Sequence, residues 1–269
     1  MPRYVAGSRR QVAAGSLPAV TDKPYEVVPG VYEMGSDLVN WYLVEDGGSY
    51  TAVDAGLPGF ASDLERQLTA LGLSARDVKA VVLTHSDADH VGLVPQLRAG
   101  GARVLIHADD APTLARPRPK QGDASPRHLL AHALNWRLWR VLLMLVKDGA
   151  AKPPRIADAE TFSDGEVLDV PGRPRAVHMP GHTPGHCALL FEGHGALFVG
   201  DGLCTVNVLT EQRGPQVMPS LMNWSTDECF RSLAAIEGLP AEVVLVGHGE
   251  PVHDTPEAVV ARARDAGRT

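Results

Sequence analysis

The chain has 269 residues, 44% hydrophobic and 21% charged, with a net charge of −7 and a pI near 5.9. This length can bury a sizeable apolar core without disulfides or a structural metal. The acidic balance argues against nucleic-acid binding, which draws on excess Lys and Arg, and no run reaches the ~18 apolar residues that a spanning helix needs.

Residues 1–24 are small and polar with scattered Gly and Pro, and read as a loosely held arm. The run after Arg9 and Arg10 is too broken by Gly and Pro for the apolar core of a secretion signal. Strands are expected in "YEVVPGVYEMG", "NWYLVED" and "YTAVDAG", each closed by Gly or Asp. Residues 58–72 predict a helix, because Phe60, Leu64, Leu68 and Leu71 recur at helical spacing between Pro58 and Gly72. "VKAVVLTH" is a β-branched run of the kind buried on both faces of a sheet. A short helix over 91–99 and a strand in "ARVLIHA" follow. This alternation predicts an α/β sandwich.

Residues 117–150 break the pattern and read as a helical insertion. A polar, Pro-rich loop leads into a segment over 125–147 that predicts one long helix capped by Ser125. It carries more apolar bulk than one core-facing stripe requires. The second half then returns to strands in "EVLDV", "RAVHMP", "CALLFE" and "ALFVGD", a helix over 226–237, a strand in "AEVVLVG" and a helix over 255–266. The strand-rich pattern occurs twice with no linker between, which suits two packed halves of a single domain over 25–269.

Four of these strands run into polar groups. "VKAVVL" leads to "THSDADH", "RAVHM" to "PGHTPGH", "ALFVG" to Asp201, and "EVVLVG" to His248. Glycines flank these turns and let backbones pack closely. In layered α/β proteins the loops at one end of the strands gather functional groups. Imidazoles and carboxylates brought together there suit Zn²⁺, Fe or Mn²⁺, and two neighbouring ions could share one acidified water and polarise a carbonyl or phosphoryl oxygen.

The order "HSDADH", His182, Asp201, His248 resembles the metallo-β-lactamase fold superfamily, over roughly residues 25–255. The resemblance implies a four-layer αββα sandwich with the site along one edge. It also implies that His85, Asp87 and His182 hold one metal, that Asp89, His90 and His248 hold a second, and that Asp201 bridges them. Asp87 departs from the pattern, which has His there; the site becomes harder and more anionic. Two divalent ions are expected, Zn by preference, with Fe or Mn as alternatives because of Asp87. Asp54 matches a family position and reads as a hydrogen-bond acceptor for a ligand imidazole, or else as a turn cap. Thr183 reads as a supporting neighbour of His182. His186 reads as a turn residue, and Cys204 as a small buried hydrophobe.

The expected function is a dinuclear metal-dependent hydrolase (EC 3), with a metal-bound hydroxide attacking an ester, lactone or thioester carbonyl and Asp89 orienting it or moving its proton. The alternatives are a phosphodiesterase or nuclease, an iron-dependent redox enzyme, and a non-catalytic metal-binding regulator of the same fold. The 125–147 segment is read either as core or homodimer surface, or as a lid whose Leu134, Trp136, Leu138, Trp139 and Met144 line an apolar pocket. A small-molecule substrate is expected, without nucleic acid. Arg127, Arg137 and Arg140 are few and scattered, so no membrane contact is expected either. Cys187, Cys204 and Cys229 are odd in number and lack C-x-x-C spacing, which points to a reducing, cytoplasmic compartment.

Overall fold

The central strands are apolar on both faces, and each face meets a different layer. The computed structural model describes residues 23–118, 122–123 and 134–268. Seven strands form the first sheet in chain order: β1 (Tyr25–Val28), β2 (Val31–Gly35), β3 (Asn40–Asp46), β4 (Ser49–Val53), β5 (Val78–Val82), β6 (Arg103–His107) and β7 (Glu160–Phe162). Pairing is antiparallel up to β4 and parallel from there to β7. The second sheet is built from β8 (Arg175–His178), β9 (Cys187–Phe191), β10 (Ala196–Gly200) and β13 (Val243–Val246), in the order β13-β10-β9-β8. Only its β10–β13 pair is parallel. A separate hairpin joins β11 (Cys204–Val206) and β12 (Arg213–Gln216).

Alternation along each strand sorts side chains into three apolar layers. Tyr42, Val44, Ala80 and Val82 face Leu189, Phe191, Phe198 and Leu245 between the sheets. Leu43 and Val81 turn the other way, onto α1 (Ala61–Ala70) through Leu64 and Leu68 and onto α2 (Val94–Ala99) through Val94 and Leu97. Leu190, Leu197 and Val244 pack outward on Cys229 of α5 (Thr226–Ser232) and on Val259, Val260 and Ala263 of α6 (Pro256–Ala266). The result is the expected αββα order of layers. A short α3 (Ala111–Ala115) and α4 (Trp136–Lys147) complete the helices named here.

Several expectations change. Most of the predicted arm, residues 1–22, lies outside the described residues. Lys23 belongs to the folded body: it is buried, donates to Ser36 O and Asn40 Oδ1 at 2.7 Å each, and pairs with Glu33 at 2.7 Å. Ser125 and the start of the predicted long helix also lie outside the described residues. The described helix starts at Trp136, where the Asn135 side chain accepts from Arg137 N, so 125–147 is not one continuous helix. "EVLDV" makes a single bridge, Val167 to Arg175, instead of a strand. α3, β7, β11 and β12 are elements the sequence reading did not assign.

Phe198 is 1% exposed and meets Tyr42 and Phe191 edge-on at 5.2 Å each, joining the two sheets. Phe198→Ala should lower unfolding stability by about 3–5 kcal/mol. Chemical denaturation would reveal it as a shifted midpoint with an unchanged slope.

Candidate metal centre

The strand ends converge. Thr84 and His85 follow β5, His182 lies in the turn after β8, Asp201 directly follows β10, and His248 lies two residues beyond β13. Asp87 Oδ2 lies 3.0 Å from His182 Nε2 and 3.7 Å from His85 Nε2. Asp89 Oδ2 lies 3.8 Å from His90 Nε2 and 3.6 Å from His248 Nε2. Asp201 sits between: its Oδ1 is 3.3 Å from His90 Nε2, and its Oδ2 is 3.4 Å from His182 Nε2 and 3.2 Å from His248 Nε2. All seven residues proposed as ligands therefore meet. Donors around one tetrahedral zinc stand ~3.3–3.6 Å apart, given bonds of about 2.0–2.2 Å, so these spacings suit a shared cation.

Each imidazole is held from behind by Nδ1. His90 Nδ1 donates to Asp54 Oδ2 at 2.9 Å, His248 Nδ1 to Leu38 O at 2.7 Å, His182 Nδ1 to Asn223 Oδ1 at 3.2 Å, and His85 Nδ1 to Thr84 Oγ1 at 2.9 Å. Thr84 Oγ1 in turn donates to Asp54 Oδ2 at 2.8 Å, and Thr84 N donates to Asp54 Oδ1 at 2.8 Å. These partners orient the rings and leave the four Nε2 atoms pointing inward. Asp54 therefore acts as the predicted acceptor. It adopts a left-handed φ of 61°, a conformation that Asp tolerates better than most residues.

His182 Nε2 meets Asp87 Oδ2 within hydrogen-bond distance, at 3.0 Å, but three other inward atoms have no hydrogen-bond partner. His85 Nε2, His90 Nε2 and Asp201 Oδ1 are buried without a hydrogen bond, and the 3.3 Å approach of His90 to Asp201 lacks hydrogen-bond geometry. A buried unsatisfied polar atom costs about 1–3 kcal/mol. Three such atoms in one pocket fit divalent cations, and the donor set of imidazoles and carboxylates fits them chemically.

Without a cation, the charges sort by neighbour. Burial, reinforced by His90, pushes the His85 pKa well below the usual imidazole range. Burial opposes charge on His90 and His248 too, but Asp201 and Asp89 outweigh it, raising His90 well above normal and His248 to about 9. Burial alone would raise the Asp201 carboxyl; the facing His248, His90 and His182 instead hold it well below the carboxylate range. His186 is lowered to about 3 by burial and by His182. It is a structural turn residue, accepting from Gly202 N at 3.1 Å and reaching Met179 O at 3.1 Å.

The sequence reading missed two supports. Asp110 is 1% exposed and ties both ligand loops together. Its Oδ2 accepts from Ser86 N at 2.9 Å and Thr183 Oγ1 at 2.8 Å, and its Oδ1 from Gly185 N at 2.8 Å. Thr183 thus steadies its loop through Asp110 and not through a ligand ring. Asn223 is the second, holding His182 while donating to Met218 O at 2.8 Å. Gly247 needs its bareness, since a side chain there would collide with Asp201 and the His90 ring.

Above the ligands opens a cleft of about 560 Å³ whose floor includes Asp87, Asp89, His182, Asp201 and His248. α4 forms one wall, but not with the residues expected. Val141, Leu142 and Leu145 line the cleft. Leu134, Trp136 and Trp139 are exposed, at 95%, 57% and 54%; Leu138 is buried and Met144 half-buried, and neither lines it. The apolar arc of the helix is broad, running from Val141 round to Trp136 with Arg137, Arg140 and Lys147 on the remaining side, so its spacing could not say which part of the arc faces in. Elsewhere, His107 and His178 stack at 4.3 Å and 9° beside Asp109. Lone pairs of parallel rings do not converge on one ion, and His178 Nε2 is engaged with Pro184 O at 2.9 Å.

Asp110→Ala should weaken metal affinity roughly 10–100-fold, measured by competition with a chromogenic chelator. Metal uptake should also displace the protons held on His90 and His248. Below about pH 9 the His248 proton competes with the cation, so affinity rises with pH towards that value. Titration calorimetry in buffers of different ionisation enthalpy would detect the released protons.

Known proteins resemble this chain in sequence and in fold. A 25% identical relative, the probable metallo-hydrolase YflN of Bacillus subtilis, aligns over 85% of this chain and 87% of its own length. The atrochrysone carboxyl ACP thioesterase of Aspergillus fumigatus is 27% identical over 81% of this chain, though over 39% of that protein. A metallo-beta-lactamase family protein of Thermus thermophilus, TTHA1429, superposes with a TM-score of 0.63 at 28% identity, covering 88% of this chain and 79% of its own. The profile of the metallo-beta-lactamase superfamily matches residues 34–248, which take in every ligand candidate described above, and the chain belongs to that superfamily.

Proposed function

We propose that the protein is a dinuclear metal-dependent hydrolase acting on a lipophilic ester, lactone or thioester. The observation that carries this reading is the pair of donor sets sharing Asp201 at the floor of an apolar cleft. His85, Asp87 and His182 would hold one cation and Asp89, His90 and His248 the other, with zinc favoured. Bound there, such a pair supplies an acidified water nucleophile and a Lewis acid for an acyl oxygen. Three carboxylates against four neutral imidazoles leave a charge that two divalent cations overcompensate by one, which favours an anionic nucleophile in the site.

The protein's own groups do the rest. Asp89 directs Oδ2 at the His90–His248 pair, leaving Oδ1 to accept the water's proton and pass it to the departing alcohol or thiol. Val141, Leu142 and Leu145 shield the acyl group from solvent, and Arg118 at the rim offers a charge for an anionic substituent. A phosphodiester would prefer more cations than this wall provides. Asp87 favours iron chemistry as the second reading, since a carboxylate hardens the site.

A substrate panel of esters, lactones, thioesters and phosphodiesters tests the proposal. Acyl substrates of growing chain length should be cleaved fastest, chelator should abolish turnover, and added Zn²⁺ should restore it. Asp89→Asn should lower kcat by ~10²–10⁴-fold. Turnover of phosphodiesters alone, or iron rather than zinc in protein purified without added metal, would overturn the corresponding part.

A further inference from the structure

α4 has a second apolar face, turned away from the cleft. Trp136, Leu143 and Val146 are 57%, 69% and 59% exposed, with Trp139 at 54% beside them. Leu142 belongs to both faces: it lines the cleft and is still 41% exposed. Arg137 and Arg140 lie 5.3 and 5.5 Å from the Trp136 ring, and Lys147 ends the helix. The sequence on either side of α4 is lopsided in charge. Residues 116–155 hold nine Arg and Lys and two Asp, a net of +7 inside a chain of net −7. The other residues, 16 basic and 30 acidic, therefore carry −14. Arg116, Arg118, Lys147, Lys152 and Arg155 are exposed.

From this juxtaposition we propose that α4 docks the protein on an anionic lipid surface. A helix with Trp and Leu on its outer face and basic residues at its flanks lies in a membrane interface, where apolar burial and attraction to anionic headgroups add. Among the described residues no helix is long and apolar enough to cross a membrane, so the contact is peripheral. Arg127, Arg137 and Arg140 alone did not suggest this at the level of sequence; the exposed stripe and the wider basic excess do. A second copy fits less well, because a two-fold pairing of this face would set its positive flanks against each other. For the acyl substrate, which rests on the hydrolase reading above, Leu142 would connect the lipid surface to the cleft.

The test is co-flotation of the full chain with phosphatidylcholine vesicles, with and without phosphatidylserine. Expected are binding to the anionic vesicles, a blue shift of tryptophan emission, and weakening by salt. Leu143→Ser with Val146→Ser should abolish binding while leaving hydrolysis of a water-soluble ester unchanged. Lys147→Gln, which removes no apolar contact, should weaken partitioning roughly fivefold on anionic vesicles alone. Failure to float with anionic vesicles would overturn the proposal, whether or not the enzyme hydrolyses esters. So would a dimer that dissolves on the double substitution, or an acidic protein competing for the same face without any vesicle binding. Inactivity towards every ester with vesicle binding intact would sink the hydrolase reading and leave the docking surface standing.

Discussion

Four imidazoles held by their Nδ1 atoms, so that four Nε2 atoms meet three carboxylates, form the constraint on which the rest of the site depends. Free rings in such a pocket would rotate towards the nearest carboxylate and pair with it. Asp54, Thr84, Asn223 and the Leu38 carbonyl remove that freedom. The result is a set of donors preorganised for an ion, with buried atoms that no protein group satisfies. The sandwich supplies the stiffness: β5, β10 and β13 are buried on both faces almost throughout, and their ends cannot shift without disturbing two apolar layers.

Legibility in the sequence followed chemistry. The ligand residues were readable because ionisable groups beside glycine directly after apolar strands have few other uses. Asp54 was half readable, as a carboxylate in a turn with two plausible roles. The Leu38 carbonyl carries no side-chain signal at all. Asp110 lies in an ordinary run after a strand, and nothing in its neighbourhood marks it among 32 acidic residues. The two sheets were readable from β-branched runs, but β7 is three residues long and β12 contains "RGP", which reads as a turn. "EVLDV" alternates like a strand, yet Val167 is 49% exposed and makes one bridge.

α4 shows a different limit. Periodicity identifies an apolar stripe only when the opposite side is polar. Here the apolar arc is broad, with Arg137, Arg140 and Lys147 on the remaining side, so the segment reads as a helix but the part of the arc that faces the cleft is not determined. The cleft takes Val141, Leu142 and Leu145, and the tryptophans go outward. A helix that serves two surfaces is itself informative, since one-sided packing would have left the outer face polar.

The donor sets divide along the chain as well as in space. His85, Asp87, Asp89 and His90 come from the first sheet's half, and His182, Asp201 and His248 from the second, with Asp87 and His182 separated by 95 positions. Neither half holds a full set of donors. An ion in either position is therefore a rivet through the seam of the sandwich, and taking it out should let the halves part along that line before either sheet comes undone.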